Sequence, residues 1–179
     1  IIHCVFNEPD GTFTKRPDLV DRLLAANAWV NPTLYVMQVA IDLAEDRRRD
    51  GELGKLEEQD LDASKRELDV RLQSVQYMVE QGVRMVAGSD SPWGYYAPGE
   101  FVHEMEMLAR TGLSESDALL SGTSWSAASI GADSSSGVIE VGRRADLLIA
   151  GGDAREDVRK LWDVKDVYQA GSRVQRGVL

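Results

Sequence analysis

The sequence is poor in the residues that several kinds of scaffold and site require. Its 179 residues include one cysteine and two histidines. A single cysteine cannot form a disulfide within the chain, which excludes a disulfide scaffold and fits a reducing compartment. We therefore expect a cytoplasmic location. No stretch approaches the roughly 18 uninterrupted apolar residues of a membrane-spanning helix, so no membrane partner is expected.

Positive charge is scarce as well. The chain carries 20 Lys and Arg against 30 Asp and Glu, a formal net charge of −10. A surface of that sign repels nucleic-acid phosphates instead of neutralising them, so a nucleic-acid partner is excluded. The hydrophobic content of 43% is nevertheless typical of a folded globular protein and too high for a disordered chain.

The chain also lacks an initial methionine. Residues 1–6 form an apolar run, with neither the basic segment nor the cleavage site of a targeting peptide. Such a run is typical of the interior of a β-strand. We therefore expect a further segment upstream of Ile1.

Apolar runs and helical spacings alternate along the first part of the chain. Runs at 1–6, 28–30 and 83–87 are typical of short strands. A helix that begins at Pro17 follows the first run, the longest helical pattern ends at Gly82, and two more follow the third run. This order favours parallel β/α units. Three units are too few for a complete eight-fold barrel, which needs about 250 residues.

Two further segments differ from this part of the chain in composition. Residues 47–62 are strongly charged and contain two glycines, which predicts an exposed excursion. After the serine-rich break at 134–136, the runs at 138–141, 146–150 and 164–170 predict short strands. We therefore divide the chain into residues 1–133 and a β-rich unit at 134–179.

Two strand ends carry residues suited to catalysis or metal binding. Asp90 follows the third strand and precedes a long loop, at the edge where β/α folds build active sites. A carboxylate there can hold a metal, accept a proton, or do both; it can also simply cap the loop or the next helix. His3 ends the first run, where it is either a zinc ligand or a hydrogen-bonded core histidine.

Other residues allow two interpretations each. His103 lies among Glu100 and Glu104 on a helix, an arrangement that a metal cluster or, more simply, a solvated acidic face explains. The aromatic residues after Asp90 either line a pocket above it or close the mouth of a barrel; they are Trp93, Tyr95 and Tyr96. Two histidines and one aspartate fall short of a convincing zinc site, since three protein ligands are usual.

Several segments together resemble the metal-dependent amidohydrolase superfamily. Residues 2–4 and 29–34 resemble its barrel strands six and seven, and the Val-Ala-Gly-Ser-Asp segment 86–90 is similar to strand eight, which carries the essential aspartate. Residues 103–120 resemble the helices after that strand. The run 137–147, with Gly-Arg-Arg-Ala-Asp-Leu, resembles the return strand into a small β-sandwich. Within the superfamily the resemblance is to the imidazolonepropionase-like branch, which includes dipeptidases acting on Xaa-Pro bonds.

The resemblance covers nearly the whole chain and implies both fold and activity. The fold would be α/β, with 1–133 as the C-terminal part of a (β/α)8 TIM barrel and 134–179 as the last strands of the sandwich. The activity would be hydrolysis of C–N bonds in a cyclic amide or peptide-like small molecule by a metal-activated hydroxide. One or two divalent ions, expected to be zinc, would be held by His3 and Asp90, with His3 on the more exposed ion. Asp90 would also be the base. Independently of the resemblance, the aromatic residues Trp93, Tyr95 and Tyr96 suggest an apolar-walled pocket, and we expect them to contact substrate.

The sequence also departs from the family pattern. The His-x-His of strand one, the bridging Lys or Glu of strand four and the histidine of strand five are absent, and they would lie upstream of Ile1. The competing interpretation is a non-catalytic fragment or subunit that needs an upstream segment or a partner chain to complete its site. Unpaired barrel edges invite association, so we expect either an oligomer or a missing N-terminal segment that completes the barrel.

Overall fold

The computed structural model describes residues 1–92 and 96–175 of the chain. Its α-helices are α1 (Pro17–Ala25), α2 (Tyr35–Arg49), α3 (Lys55–Glu80), α4 (Val102–Arg110), α5 (Glu115–Ser121) and α6 (Ser124–Ser129). Its strands are β1 (Trp29–Val30), β2 (Arg84–Met85), β3 (Leu147–Ala150), β4 (Val164–Gln169) and β5 (Ser172–Arg173), and a 3-10 helix spans Val158–Trp162.

Three parallel segments lie side by side and form one wall around the core. β1 pairs with β2 in parallel, with Val30 opposite Met85. On the other side of β1, Asn31 forms a parallel bridge with Ile2. The Asn31 amide donates to the Ile1 carbonyl at 2.8 Å, whereas the Val30 carbonyl accepts from Val86 at 2.9 Å. The predicted α/β alternation with three parallel segments is therefore confirmed, although the first segment pairs through one bridge only.

The core lies between this wall and the helices. Val30 and Met85, neighbours in the two strands, are fully buried. Val75 and Met78 of α3 and Leu108 of α4 are buried in the same cluster. The 26-residue helix α3 supplies its apolar face because its buried residues recur at helical spacing. The core thus holds the strand ends, and whatever follows them, at fixed positions.

The prediction that residues 47–62 are exposed is confirmed for most of the segment, with Leu61 buried. The segment contains the end of α2, the turn of a helical hairpin and the start of α3, since α2 ends at Arg49 and α3 begins at Lys55. The Glu57 carboxylate accepts the Gly54 amide at 2.9 Å and so caps α3. Arg47 pairs with the same carboxylate at 3.0 Å. The charged residues therefore lie on exposed helix faces and do not interrupt the helices.

The prediction of a strand at 138–141 was wrong. Within the described ranges no strand pairs with this segment, and Ile139 is 90% exposed. The other two runs do form strands: β3 pairs antiparallel with β4, and β4 with β5. The 3-10 helix joins this sheet to the barrel part, because the Val158 amide donates to Glu115 of α5 at 2.8 Å. The division at residue 133 stays a prediction.

No helix within residues 1–92 and 96–175 has the length and apolar character to cross a bilayer.

We expect Met85→Ala to lower the free energy of unfolding by about 2–5 kcal/mol, because it removes a fully buried side chain from the centre of the core. Leu56→Ala on α3 is the matched control, since that side chain is exposed, and it should change stability by less than about 0.5 kcal/mol. Urea unfolding of both variants checks this. Equal losses would contradict the position of the core.

Candidate active site

Three neighbouring strand ends each carry a residue in the left-handed backbone region. The φ angles are 58° at His3, 50° at Thr33 and 53° at Asp90. This conformation is unfavourable for residues other than glycine, above all for β-branched threonine. It costs about 1–3 kcal/mol at each position and is found mainly at functional sites, where the surrounding structure enforces it. The C-terminal edge of the wall is therefore the candidate site.

His3 and Asp90 face each other at this edge. The distance from His3 Nε2 to Asp90 Oδ2 is 3.6 Å, and the two side chains are 46% and 43% exposed. The His3 amide donates to the Asn31 carbonyl at 3.0 Å, which anchors the histidine to the end of β1. The structure thus brings together the two residues that the sequence placed at corresponding strand ends. Their catalytic and metal-binding roles stay predictions.

The Thr33 side chain lies against one ring nitrogen of His3. Its hydroxyl oxygen is 2.6 Å from His3 Nδ1 and 2.8 Å from the Pro32 carbonyl oxygen. This contact orients the imidazole so that its other nitrogen, Nε2, faces Asp90.

The facing atoms suit a metal ion in both chemistry and separation. Imidazole nitrogen and carboxylate oxygen are common zinc ligands, at about 2.0–2.2 Å from the ion. Two such ligands on a tetrahedral ion lie about 3.4 Å apart, close to the separation of His3 Nε2 and Asp90 Oδ2. The described part of the chain holds no group of three or more potential metal-ligating side chains. It therefore offers two ligands of the three that catalytic zinc usually has.

Glu104 supports the site from beneath. Its side chain is fully buried, and its two carboxylate oxygens accept the amides of Leu34 at 2.9 Å and Tyr35 at 2.8 Å. These amides begin α2, whose N-cap residue Leu34 has no side chain that can cap them. Burial raises the pKa of Glu104 to about 7, although the amides of Tyr35, Leu34 and Thr33 act in the opposite direction.

The solvated acidic face predicted for α4 is therefore wrong for Glu104. Its spacing from Phe101 and Leu108, three and four residues away, was the signal that it belongs to the buried face. His103 is not part of a metal cluster either: its ring stacks on Tyr35 at 4.1 Å and lies 4.5 Å from Trp162. These rings join α4 to α2 and to the 3-10 helix.

The three aromatic residues predicted to contact substrate fall into two groups. Trp93 and Tyr95 lie outside the described residues. Tyr96 is buried, and its hydroxyl donates to the Glu100 carbonyl at 3.1 Å. Its ring meets the edge of Tyr35 at 4.9 Å, and its own carbonyl accepts the Ser91 hydroxyl at 3.0 Å. Tyr96 thus packs beneath the loop after Asp90, and its contact with substrate stays a prediction.

Gly88 allows the end of β2 to approach the end of β1 closely, just below the site. A Cβ at this position would lie 2.0 Å from Nδ2 of Asn31, a contact that no side chain can make. The close approach brings the end of β2 against the end of β1. It also leaves the Asn31 side-chain oxygen buried without a hydrogen-bond partner among the described residues.

Comparisons with known proteins show the family to which the chain is similar. The model of the amidohydrolase family matches residues 8–174. Among solved structures, a candidate prolidase from Bifidobacterium longum is 22% identical, with a TM-score of 0.78, and the match covers 98% of this chain and 42% of that one. A Xaa-Pro dipeptidase with bound methionine is 20% identical, with a TM-score of 0.73 and coverages of 90% and 38%. An ochratoxinase from A. niger is 18% identical, with a TM-score of 0.69 and coverages of 96% and 36%.

The solved structures share the fold of this chain and are longer. The chain spans about two fifths of the length of each of these three structures. The family match and the shared fold together confirm the expectation that the chain is part of an amidohydrolase barrel. A search of curated proteins found no match.

The burial of Glu104 predicts how stability depends on pH. Its pKa is about 7 in the folded chain against an ordinary 4.5, so between these values the folded state binds more protons than the unfolded state. The contribution of Glu104 to stability is therefore complete below pH 4.5 and is lost as the pH rises through 7. At about 1.4 kcal/mol per pKa unit this loss is about 3 kcal/mol.

Glu104→Gln removes this titration. We expect the free energy of unfolding of the wild type, relative to the variant, to fall by up to about 3 kcal/mol from pH 4.5 to 7. Urea unfolding at a series of pH values measures the difference. Parallel curves for the two proteins across this range would contradict the account of Glu104.

Proposed function

Because the chain belongs to the amidohydrolase family, we propose that it forms part of the active site of a metal-dependent hydrolase that cleaves C–N bonds. The observation that carries the proposal is the pair His3 and Asp90, 3.6 Å apart at the C-terminal edge of three parallel segments. Both residues are held in the left-handed region and half exposed. Strain and exposure together favour a reacting site over a structural contact.

Each residue of the pair has a separate task. His3 Nε2 and the Asp90 carboxylate, which face each other, would hold a divalent ion, with zinc the first choice for a histidine and a carboxylate. A bound divalent ion supplies Lewis-acid chemistry, polarising a carbonyl group and acidifying water. Asp90 would also accept the proton of the attacking water and pass it to the leaving nitrogen.

The proposed substrate is a small peptide-like molecule. Solved structures that share the fold include a Xaa-Pro dipeptidase and a prolidase in complex with N-methylphosphonate-L-proline. Both names point to an amide bond next to a proline ring, which makes an Xaa-Pro dipeptide the first substrate to test. The ochratoxinase has the same fold, with a TM-score of 0.69, but its name does not refer to proline.

The site would be completed by further polypeptide. The described residues supply two zinc ligands, and the edge of the first parallel segment leaves Ile1 and Ile2 exposed. A cavity of about 880 Å³, lined in part by Val86, Ile139 and Leu148, opens between the barrel wall and the sheet of β3. These apolar surfaces suit either the rest of a longer chain or a second molecule.

Intact mass and sedimentation of the native protein separate these possibilities. A polypeptide heavier than 19.7 kDa supports a longer chain, and a stable complex of 19.7 kDa chains with each other or with another polypeptide supports assembly. A compact monomer of 19.7 kDa at all concentrations would contradict the proposal of a completing segment.

In the completed protein, we expect Asp90→Asn to reduce hydrolysis of an Xaa-Pro dipeptide by about a hundredfold or more, since the amide neither takes up a proton nor binds a cation as a carboxylate does. Asp69→Asn on the exposed side of α3 is the matched control and should leave the rate unchanged. The measurement is the rate of proline release. An Asp90→Asn protein that keeps more than about a tenth of the wild-type rate would contradict the assignment, because loss of a general base alone costs more.

A further inference from the structure

The wall of parallel segments has a second face, which is turned away from the core. The core contains the side chains of Val30 and Met85. Successive side chains of a strand point to opposite faces, so Trp29 and Arg84, which precede them, lie on the second face. Trp29 and Arg84 are opposite each other in the two strands, and the guanidinium carbon lies 4.1 Å from the centre of the indole ring. Asn31, two residues after Trp29, completes what we call the inner face of the wall.

The inner face holds buried polar atoms without partners. Within residues 1–92 and 96–175, two buried side-chain atoms lack a hydrogen-bond partner, namely Arg84 Nε and Asn31 Oδ1. Both belong to the inner face. Nearly all buried polar atoms of folded proteins are paired, because an unpaired one destabilises the fold. Their occurrence together indicates that the inner face is covered by groups that the described residues do not supply.

Arg84 also carries a charge that its surroundings do not neutralise. No carboxylate in the described part of the chain forms an ion pair with it. The Trp29 ring attracts the guanidinium from one side, but it offers no oxygen to accept the N–H groups. A guanidinium presents five N–H donors in one plane, and a carboxylate binds two of them at once. A carboxylate therefore fits both the charge and the donors.

We infer that Arg84 forms a buried ion pair with an aspartate or glutamate of the polypeptide that completes the barrel. The inference rests on the proposed function only in requiring that polypeptide. In the matched structure from Bifidobacterium longum, this chain corresponds to 42% of the length, so most of that protein lies outside the matched part. Arg84 begins β2, and Asp90 follows the other end of that strand. The N-terminal ends of barrel strands serve stability, so this ion pair joins two parts of the fold and takes no part in the reaction.

A second copy of this chain does not fit the inner face. An interface with two-fold symmetry uses the same surface on both molecules. Two inner faces in contact would bring Arg84 of each copy towards the other, and like charges at an interface are unfavourable. The acidic residue therefore belongs to a different segment of polypeptide.

Arg84→Met in the completed protein tests the ion pair by the sign of its effect on stability. Methionine still covers the Trp29 ring but carries no charge. If a carboxylate faces Arg84, the substitution leaves it buried alone, and the equilibrium constant for unfolding should rise by about a hundredfold or more. If Arg84 stays unpaired, the substitution removes an uncompensated charge, and the constant should stay the same or fall. That result would overturn the inference.

Urea unfolding at pH 7 and one fixed protein concentration measures these constants. Arg66→Met on the exposed side of α3 is the matched control and should change the constant by less than about threefold. If Arg84→Met does not fold, Arg84→Lys takes its place, because lysine keeps the charge but not the planar set of donors. We expect it to raise the constant by about tenfold, and an unchanged constant would contradict the ion pair.

A second pH value distinguishes a carboxylate from a carbonyl group as the acceptor. In Arg84→Met a lone buried carboxylate takes up a proton as the pH falls, which relieves the cost of its burial. The ratio of the unfolding constants of variant and wild type should therefore shrink by about tenfold or more from pH 7 to pH 4.5. Glu104 is present in both proteins and cancels in this ratio. An equal ratio at both pH values would overturn the assignment to an acidic residue.

Failure of this inference is distinguishable from failure of the proposed function. The variants report on stability alone, so a protein that neither binds zinc nor hydrolyses peptides still gives these results. An unchanged constant in Arg84→Met would overturn the ion pair and leave the proposed site of His3 and Asp90 as it is. A compact monomer of 19.7 kDa would contradict the completing polypeptide and the ion pair together, and the mass measurement identifies that case before any variant is made.

Discussion

The Glu104 carboxylate, which accepts the amides of Leu34 and Tyr35, is the interaction on which the site depends. Buried amides without an acceptor would destabilise the fold by about 1–3 kcal/mol each, and the N-cap residue of α2 offers none. The contact therefore joins α4 to the start of α2, in the middle of the core. It fixes the backbone at residues 34 and 35, directly after Thr33.

The three parallel segments of the barrel wall bring the residues of the candidate site together. Residues 2, 31 and 86 link the three parallel segments, so that their ends share one edge. At that edge His3 and Asp90 approach each other across the end of β1. The apolar core below is rigid because α3 and α4 fill it, which is what allows strained residues to persist above it. Packing in the core, away from His3 and Asp90, thus maintains the strained backbone at this edge.

Local patterns predicted the β/α alternation, the amidohydrolase resemblance that the family match confirms, and the strand-end positions of His3 and Asp90. They missed Glu104, because the amides that it binds are about 70 residues away in the chain and no local pattern shows them. Charge density at 47–62 predicted exposure but not secondary structure, and the capping and ion pairs that support helices there became visible only in the structure. At 138–141 the β-branched residues predicted a strand, but a strand needs a partner, and none is present within the described residues.

A zinc titration shows whether His3 and Asp90 bind one metal ion together. Zinc affinity would be measured by competition with a chromophoric chelator for the wild type, His3→Gln, Asp90→Asn and the double variant. If both side chains bind the same ion, each single substitution weakens binding by tenfold or more (about 1.4 kcal/mol), and the double variant loses little beyond the single ones. Equal affinity in all four proteins would contradict the account.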